Sequence, residues 1–473
     1  MPGALTLALA ACALHLPPPP AVDLPNRYIQ PSASESATGP DAHWYRQFSS
    51  PELSALIEAA DQGNLDLAAA SARVLQANAR ARAAGAALLP EFDLNGNVIR
   101  FSGDTGNASA HETDWAALLS ASYEIDFWGK NRATARSAEL QAAASAADEA
   151  TVALTTRAAV ASTYFQLLSL RERVRVAEAD VKARQDVLQL LEARYQAGQT
   201  DTVELATQRA TVANAQRTVP QLRQQETELL GALAVLVGRR PEGFIVTGES
   251  LDGLAVPALG AGLPTQLLTR RPDLRAAEAN LRAADADVAV ARAALLPSIA
   301  LTVSGGLANP AMQAAVLTLP GAGTTLTLGA TLVQSIFDNG RRRAQRDLTT
   351  ARETELVATY RSAVLAALLD VENALAARAN IDEQHPLVTA ALEQSQRALD
   401  GALSRYQAGS GDYLTLLEMQ RTLYSARDQL SQYQVQRLQA AVGLCRALGG
   451  GWDSTAPPPV VGNAPTPPVP PQR

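Results

Sequence analysis

Arg194-Tyr-Gln-Ala-Gly198 occurs a second time in this chain, as Arg405-Tyr-Gln-Ala-Gly409. The offset of 211 residues holds without a gap over a long span: Gly129 falls on Gly340, Arg132 on Arg343, Thr211 on Thr422, Ala215 on Ala426 and Gly238 on Gly449. Upstream, Ala87-Leu-Leu-Pro90 returns as Ala294-Leu-Leu-Pro297 at an offset of 207. The difference must fall between these prolines and the glycine pair Gly129 and Gly340. Self-similarity at a fixed interval marks a tandem duplication, here of a unit of about two hundred residues. Two like halves build one pseudo-symmetric body more naturally than two unrelated domains.

Working outward from the motif, Lys130 to Ala197 contains 68 residues without a Gly or Pro. As one helix it would be roughly 100 Å long. Its counterpart, Arg341–Ala408, holds a single proline, in His385-Pro386, which predicts a kink or break. Apolar residues recur in heptads at Val174, Val181, Leu188 and Tyr195, with a second row at Ala177 and Leu191 broken by Arg184. In the second copy the first row reads His385, Leu392, Leu399, Tyr406. The glycine ending each motif stops the helix, and a second helix returns over Val203–Val237 and Tyr413–Leu448. Before each long helix the pattern alternates with a period near two around Gly-rich turns, predicting β-hairpins at 91–127 and 298–337. Their long strands suit a tilted bilayer crossing. A further helix precedes each hairpin, at Glu52–Ala87 and Pro272–Leu295, with Pro90 and Pro297 ending the pattern.

The fold class is therefore mainly α with a membrane β-barrel portion, internally duplicated. Repeat one covers 52–238 with its tip turn at 198–202, and repeat two covers 264–449 with its tip turn at 409–412. A linker, 239–263, joins them, and 450–473 is a Pro-rich tail. Four strands cannot close a barrel, and open strand edges are not tolerated in lipid. More than one chain must contribute; three would give twelve strands and a tube of twelve helical columns, and two or four also satisfy the count.

Composition points the same way. Of 473 residues 47% are hydrophobic but only 4% aromatic, as expected for Ala-rich, closely packed helices. A net charge of −7 with no basic aromatic platform gives no case for nucleic acid. Residues 1–11 read as a signal segment ending Leu9-Ala10-Ala11-Cys12, the pattern of a bacterial lipoprotein, although no Lys or Arg precedes the apolar run. Cys12 is the expected lipidation site, at the head of a Pro-rich arm over 12–51 read as extended and non-helical. Cys12 and Cys445 are the only cysteines, so no disulfide framework is expected.

The segment from Arg270 to Pro297 begins Arg-Arg-Pro-Asp-Leu-Arg-Ala-Ala-Glu-Ala-Asn-Leu-Arg and ends Ala-Arg-Ala-Ala-Leu-Leu-Pro. It resembles the "RRPDL…AE…L…A…A…ARA…P" signature of the outer membrane factor (TolC-like) family, in its lipoprotein branch serving resistance-nodulation-division multidrug efflux. Asn64-Leu-Asp-Leu, Tyr123-Glu-Ile-Asp-Phe-Trp-Gly-Lys, Phe337-Asp-Asn-Gly-Arg and both tip motifs are similar to that family too. The resemblance covers the chain from about Trp44 to Trp452. It implies a homotrimer with a twelve-stranded barrel in outer-membrane lipid and a long α-helical tunnel in the periplasm. A periplasmic adaptor and an inner-membrane efflux transporter would be its partners, and drugs or other small molecules its cargo. No cofactor is implied beyond the covalent lipid on Cys12. Two other readings are an exit duct for protein secretion and a non-transporting lipoprotein that spans the periplasm.

On this reading the tip residues Gly198, Gln199, Thr200, Gly409, Ser410 and Gly411 would touch the adaptor, the glycines also serving as helix caps. Glu204, Arg405, Tyr406, Asp412 and Glu418 would form a gate, with tyrosine or arginine bonded to a neighbouring acid. Alternatively all five are solvated coil positions with weak ion pairs. Arg270, Arg271 and Asp273 read as structural, Asp273 suiting a helix first turn. Trp115, Tyr123, Phe127 and Trp128 read as an interfacial aromatic belt, or for the last two as packing at the strand-to-helix joint. His15, His43, His111 and His385 lack metal-ligand spacing. No phosphate loop or nucleophile motif argues for an enzyme.

Overall fold

The computed structural model describes residues 24–29, 40–104, 109–258, 260–308 and 324–450. The segment expected to be a signal, Cys12, much of the Pro-rich arm and residues 451–473 lie outside them. The first repeat runs α1 (Pro51–Gly63), α2 (Leu65–Ala86), β1 (Glu91–Asp104), β2 (Ser109–Ile125), α3 (Lys130–Gln196) and α4 (Thr202–Leu236). After the linker come a 3-10 turn (Pro264–Gln266), α5 (Leu267–Arg270), α6 (Pro272–Ala293), β3 (Ser298–Ala308), β4 (Thr324–Val333), α7 (Arg341–Gln407) and α8 (Tyr413–Ala447). Both long helices have 67 residues and both return helices 35, so the duplication seen in sequence is a duplication of form. No described helix is long and apolar enough to cross a membrane.

Three expectations are corrected. The helix predicted over Glu52–Ala87 is two helices, because Asn64 adopts an extended backbone between them. Its Oδ1 accepts from the Leu67 N–H at 2.9 Å, capping α2, while its Nδ2 donates to the Leu236 carbonyl at 2.9 Å and ties the break to the end of α4. Pro386 does not break α7, which is continuous through it; a proline removes one backbone N–H, and the turns on either side keep theirs. The Pro-rich arm is helical where it turns aromatic: Trp44–Phe48 is a 3-10 helix with Trp44 and Phe48 fully buried. Phe48 packs against Phe165 of α3, ring centroids 5.1 Å apart.

That aromatic turn belongs to the main core, an equatorial cluster in which α1, α3, α4, α6, α7 and α8 converge with the linker. Polar clamps fasten it. The Glu52 carboxylate accepts from the Thr247 N–H at 2.6 Å, the Gly248 N–H at 2.9 Å and the Tyr164 hydroxyl at 3.0 Å, holding the linker onto α1 and α3. Arg271 donates to Asp273 at 2.7 Å, Asp370 at 3.1 Å and the Ala447 carbonyl at 3.1 Å, joining α6, α7 and α8. Arg157 meets Asp61 at 2.9 Å. The return helices end alike, on Gly238 and Gly449, both at φ +74°. A Cβ on Gly238 would lie 1.9 Å from the Gly63 carbonyl oxygen, so glycine is required there by backbone and by space.

The strands form one antiparallel sheet in the order β1-β2-β3-β4, with β2 of the first repeat paired to β3 of the second, Ile125 opposite Ile299. β1 and β4 are the edge strands, and the outer edge of each pairs with no strand among the described residues.

Candidate functional site

The tips lie where each long helix reverses. Gly198 and Gly409 sit at φ +72° and +74°, a left-handed turn that glycine adopts without strain. In the first tip the Gly198 N–H donates to the Tyr195 carbonyl and the Gln199 N–H to the Arg194 carbonyl. In the second, Gly409 donates to Tyr406 and Ser410 to Arg405. This is the Schellman pattern, which satisfies the last helical carbonyls. Each return helix then starts on an aspartate. Asp201 accepts from the Glu204 N–H at 2.9 Å; Asp412 accepts from the Thr415 N–H at 2.8 Å and the Thr415 hydroxyl at 2.7 Å. The bond from the Thr415 N–H, followed by that from its hydroxyl, holds the Asp412 carboxyl below the usual carboxylate range.

Between the tips lies a small apolar core of Val187, Leu191, Leu205, Tyr406, Leu416 and Leu417, joined by Tyr413. Arg194 closes it from the first tip. Its guanidinium lies 4.4 Å from the Tyr406 ring centroid and donates to the carbonyls of Tyr406 at 2.7 Å and Gln407 at 3.2 Å. A cation over a ring and at a helix C-terminus is favourable twice, through the ring quadrupole and the helix dipole. Deeper in, the Tyr413 hydroxyl donates to Gln208 Oε1 at 2.8 Å, and Gln208 Nε2 donates to the Arg184 carbonyl at 2.7 Å. Arg184 is buried and paired with Asp180 at 2.6 Å, one turn away. Burial, and secondarily Glu204, pushes the Tyr413 hydroxyl up to about 12 and raises Tyr406 as well.

The structure brings some of the expected gate residues together and leaves others apart. Tyr406 is buried against Arg194, with Glu204 near enough to act on it electrostatically while hydrogen-bonded to the Thr200 hydroxyl. Tyr406 thus meets an arginine within the chain, not an acid. Asp412 is a helix cap, and Arg405 and Glu418 are exposed. Gln199, Gly198, Gly409 and Ser410 are exposed at the extreme tip, with Thr200 and Gly411 half-buried. Sequence reasoning missed Arg194, Tyr413, Gln208 and the Arg184–Asp180 pair. Arg194 had a signal, as the first residue of the repeated motif. Arg184 had only a misleading one: the heptad row it interrupts, Ala177–Arg184–Leu191, is the buried row.

At the opposite end the register sorts every strand into two faces. Phe92, Leu94, Val98, Trp115, Leu119, Leu301, Val303, Leu326 and Leu328 share one face, large and exposed. Asp93, Asn95, Ser120, Thr302, Ser304 and Thr327 share the other. A sheet apolar on one side and polar on the other, with strands of 10 to 17 residues, is built as the wall between lipid and water. Trp115 lies on the lipid-type face, whereas Trp128 donates from Nε1 to the Pro297 carbonyl at 2.7 Å and stacks edge-on with Phe127, locking the strand-to-helix joint.

A membrane wall continuous with helices of 67 residues that end in capped tips defines an outer-membrane channel with a long stem. The model of the outer membrane efflux protein family matches residues 56–239 and again 263–450, once per repeat, and the chain belongs to that family. It is 43% identical over 462 residues to the pyoverdine export outer membrane protein OpmQ of Pseudomonas putida, covering 96% of this chain and 97% of that one. To the protein of the same name from Pseudomonas aeruginosa it is 44% identical over 440 residues, 91% of this chain and 92% of the other. Among solved structures it is similar to the outer-membrane channel OprN, with TM-score 0.82 and 28% identity over 92% of this chain and 99% of that one. The open state of the Neisseria gonorrhoeae channel MtrE gives TM-score 0.84 and 29% identity over 92% and 98%. The chain is an outer-membrane exit channel of an efflux system.

Proposed function

We propose that three copies close into one duct, which forms the outer-membrane exit of a tripartite pump for small secreted molecules. The observation that carries the ring is the difference between the two long helices. α3 packs on both α2 and α6 and is buried along much of its length, whereas α7 packs on α6 and α8 and buries only Tyr360, Val364, Ala367, Val371, Leu375 and Tyr406. Leu348, Leu365, Leu369 and Leu387 of α7 stay exposed. The duplication names the missing neighbour: α6 flanks α3 inside the chain, so α2 of another copy flanks α7. The sheet has the same gap, since β2 pairs with β3 inside the chain and β4 is left to pair with β1 of the next copy. Unpaired strand groups in lipid cost several kcal/mol each, so the sheet favours closure. The polar sheet face supports a water-filled duct over a non-transporting strut.

The exposed tip residues Gln199 and Ser410 suit contact with a periplasmic adaptor, which would link the duct to an inner-membrane transporter. The names of the two relatives at 43% and 44% identity support a siderophore-type chelator as cargo. Cys12 would carry the lipid that anchors the arm. Native mass measurement and single-channel recording in planar bilayers test the duct: a trimer with a stable pore is the expected result, and a monomer or an absent pore sinks it. For cargo, deletion of the gene should lower secreted iron chelator and raise its periplasmic level; unchanged secretion removes the siderophore reading.

A further inference from the structure

Where the sheet gives way to the helices, the chain encloses a cavity of about 460 Å³ between the start of α3, the start of α7 and the turn from α6 to β3. The strand register fixes which side it opens on. Glu124 and Ser298 continue the polar face of Ser120 and Ser304, alternating with Ile125 and Ile299 of the apolar one. Lys130 belongs to the same side, because its ammonium meets the Glu124 carboxylate at 2.6 Å. Arg341 and Gln345 of α7 line the cavity too, one helical turn apart and so on one face. The cations of this wall are not equally occupied. Lys130 has Glu124, and Arg342 has the Ala294 carbonyl at 2.7 Å and Asp338 at 3.7 Å. Asp126, the other acid of the wall, is held by Arg132 at 3.1 Å. Arg341 and Gln345 are exposed, and neither side chain makes a hydrogen bond or ion pair among the described residues. Three cations, Lys130, Arg341 and Arg342, face two carboxylates, Glu124 and Asp126, which leaves one positive charge.

We infer that this cavity is a cargo site: it takes a carboxylate of an acidic small molecule passing from the helical stem into the sheet-walled exit. The Arg341 guanidinium is its anchor, with the Gln345 amide and the Ser298 hydroxyl as flanking donors. A guanidinium presents parallel N–H groups that match the two oxygens of a carboxylate. The single residual charge suits a monoanionic group, whereas a phosphate dianion would bring one negative charge too many. The cavity has the volume of a small-ligand pocket, enough for one acidic arm of a larger molecule. It is built inside one chain, so a ring would carry it once per copy. Glu124 sets its strength. By engaging Lys130 it leaves one free cation in the wall where there would be two, and a site on a conduction path must release what it holds.

This inference rests on the duct proposed above, whose bore is the polar side of the sheet, and its test separates the two. In planar bilayers, potassium citrate added to one side of the full-length protein should reduce the current carried by potassium chloride. Arg341→Gln should raise the half-blocking concentration several-fold and shift the reversal potential toward cations. Glu124→Gln should act in the opposite sense, lowering the half-blocking concentration several-fold, a change of sign that a merely structural role would not produce. Arg343→Gln removes an exposed guanidinium that does not line the cavity and should leave the block unchanged. Unchanged block in Arg341→Gln would overturn the site. The partner of that guanidinium would then be Glu91 of a neighbouring copy, which the duplication sets at the place of Ser298. Inorganic phosphate that blocks as well as citrate at equal ionic strength would overturn the carboxylate assignment. A wild-type protein with no pore would instead refute the duct. Equilibrium dialysis of citrate against the detergent-solubilised protein would still decide the site: several-fold weaker retention by Arg341→Gln supports it, and equal retention overturns it.

Discussion

Glu52 gathers two backbone N–H groups and two hydroxyls onto one carboxylate, and through them holds the linker to the first repeat. Burial alone would raise its pKa; the bonds from Thr247, Gly248 and Tyr164 outweigh that and lower it from 4.5. A carboxyl whose pKa is lower folded than unfolded stabilises the fold above the unfolded value, and the contribution is lost as pH falls through the folded one. Thermal stability should therefore fall as pH drops below about 4.5, where carboxylates take up protons. Glu52→Gln should lose roughly 1–3 kcal/mol at neutral pH, because its amide would present donors to donors, and should show a flatter acid limb in the same melting series. Gly238→Ala should cost more than about 2 kcal/mol, from a left-handed backbone and a carbonyl with no room to yield; calorimetry against an alanine at the open, ordinary Gly443 would show it. Residues of this kind divide sharply in how far sequence reveals them. The tip glycines were legible because a helix stop needs no knowledge of neighbours. Arg184 was not, since an arginine in an apolar row reads as a defect until Asp180 is seen to neutralise it in the buried seam.

Each element was legible where one period rules it. The first long helix was, because 68 residues without Gly or Pro admit little else; the second was by its repetition of the first, and so were the hairpins. The breaks were not: Asn64 looks no different from any polar helical residue until its amide is seen bound to the end of α4, and Pro386 looks like a stop. The sheet's two faces needed the register, which turn sequences alone do not fix. They set up a paired experiment on adjacent residues of β4. Leu328→Arg places a charge on the lipid-type face and should cost about 2–4 kcal/mol near mid-membrane, seen as lost trimer and lower membrane yield. Thr327→Arg points the other way, should leave the assembly intact, and should shift reversal potentials toward anions. Equal damage from both would refute the assignment of faces.

At the scale of the molecule, what the sequence withheld was mostly what a second copy would supply: the second partner of β4 and the cover of α7. Single-chain patterns record that a face is apolar, not what meets it. The arm before Trp44 carries one further expectation. Mass spectrometry of the mature protein should find acyl chains on Cys12, and Cys12→Ser should remove them; an unmodified cysteine would leave the arm unanchored. The pairing of β2 with β3 and the linker over 239–263 also bear on how the assembly arose and how it forms. If an ancestral half-length chain built the same ring, six bodies had to meet; fusing two of them leaves three encounters and makes the other three intramolecular, at millimolar effective concentration. Fusion also frees the two halves from being identical. A gene for a half-length chain must satisfy both seams with one set of residues, whereas this chain can fit each seam with residues of its own.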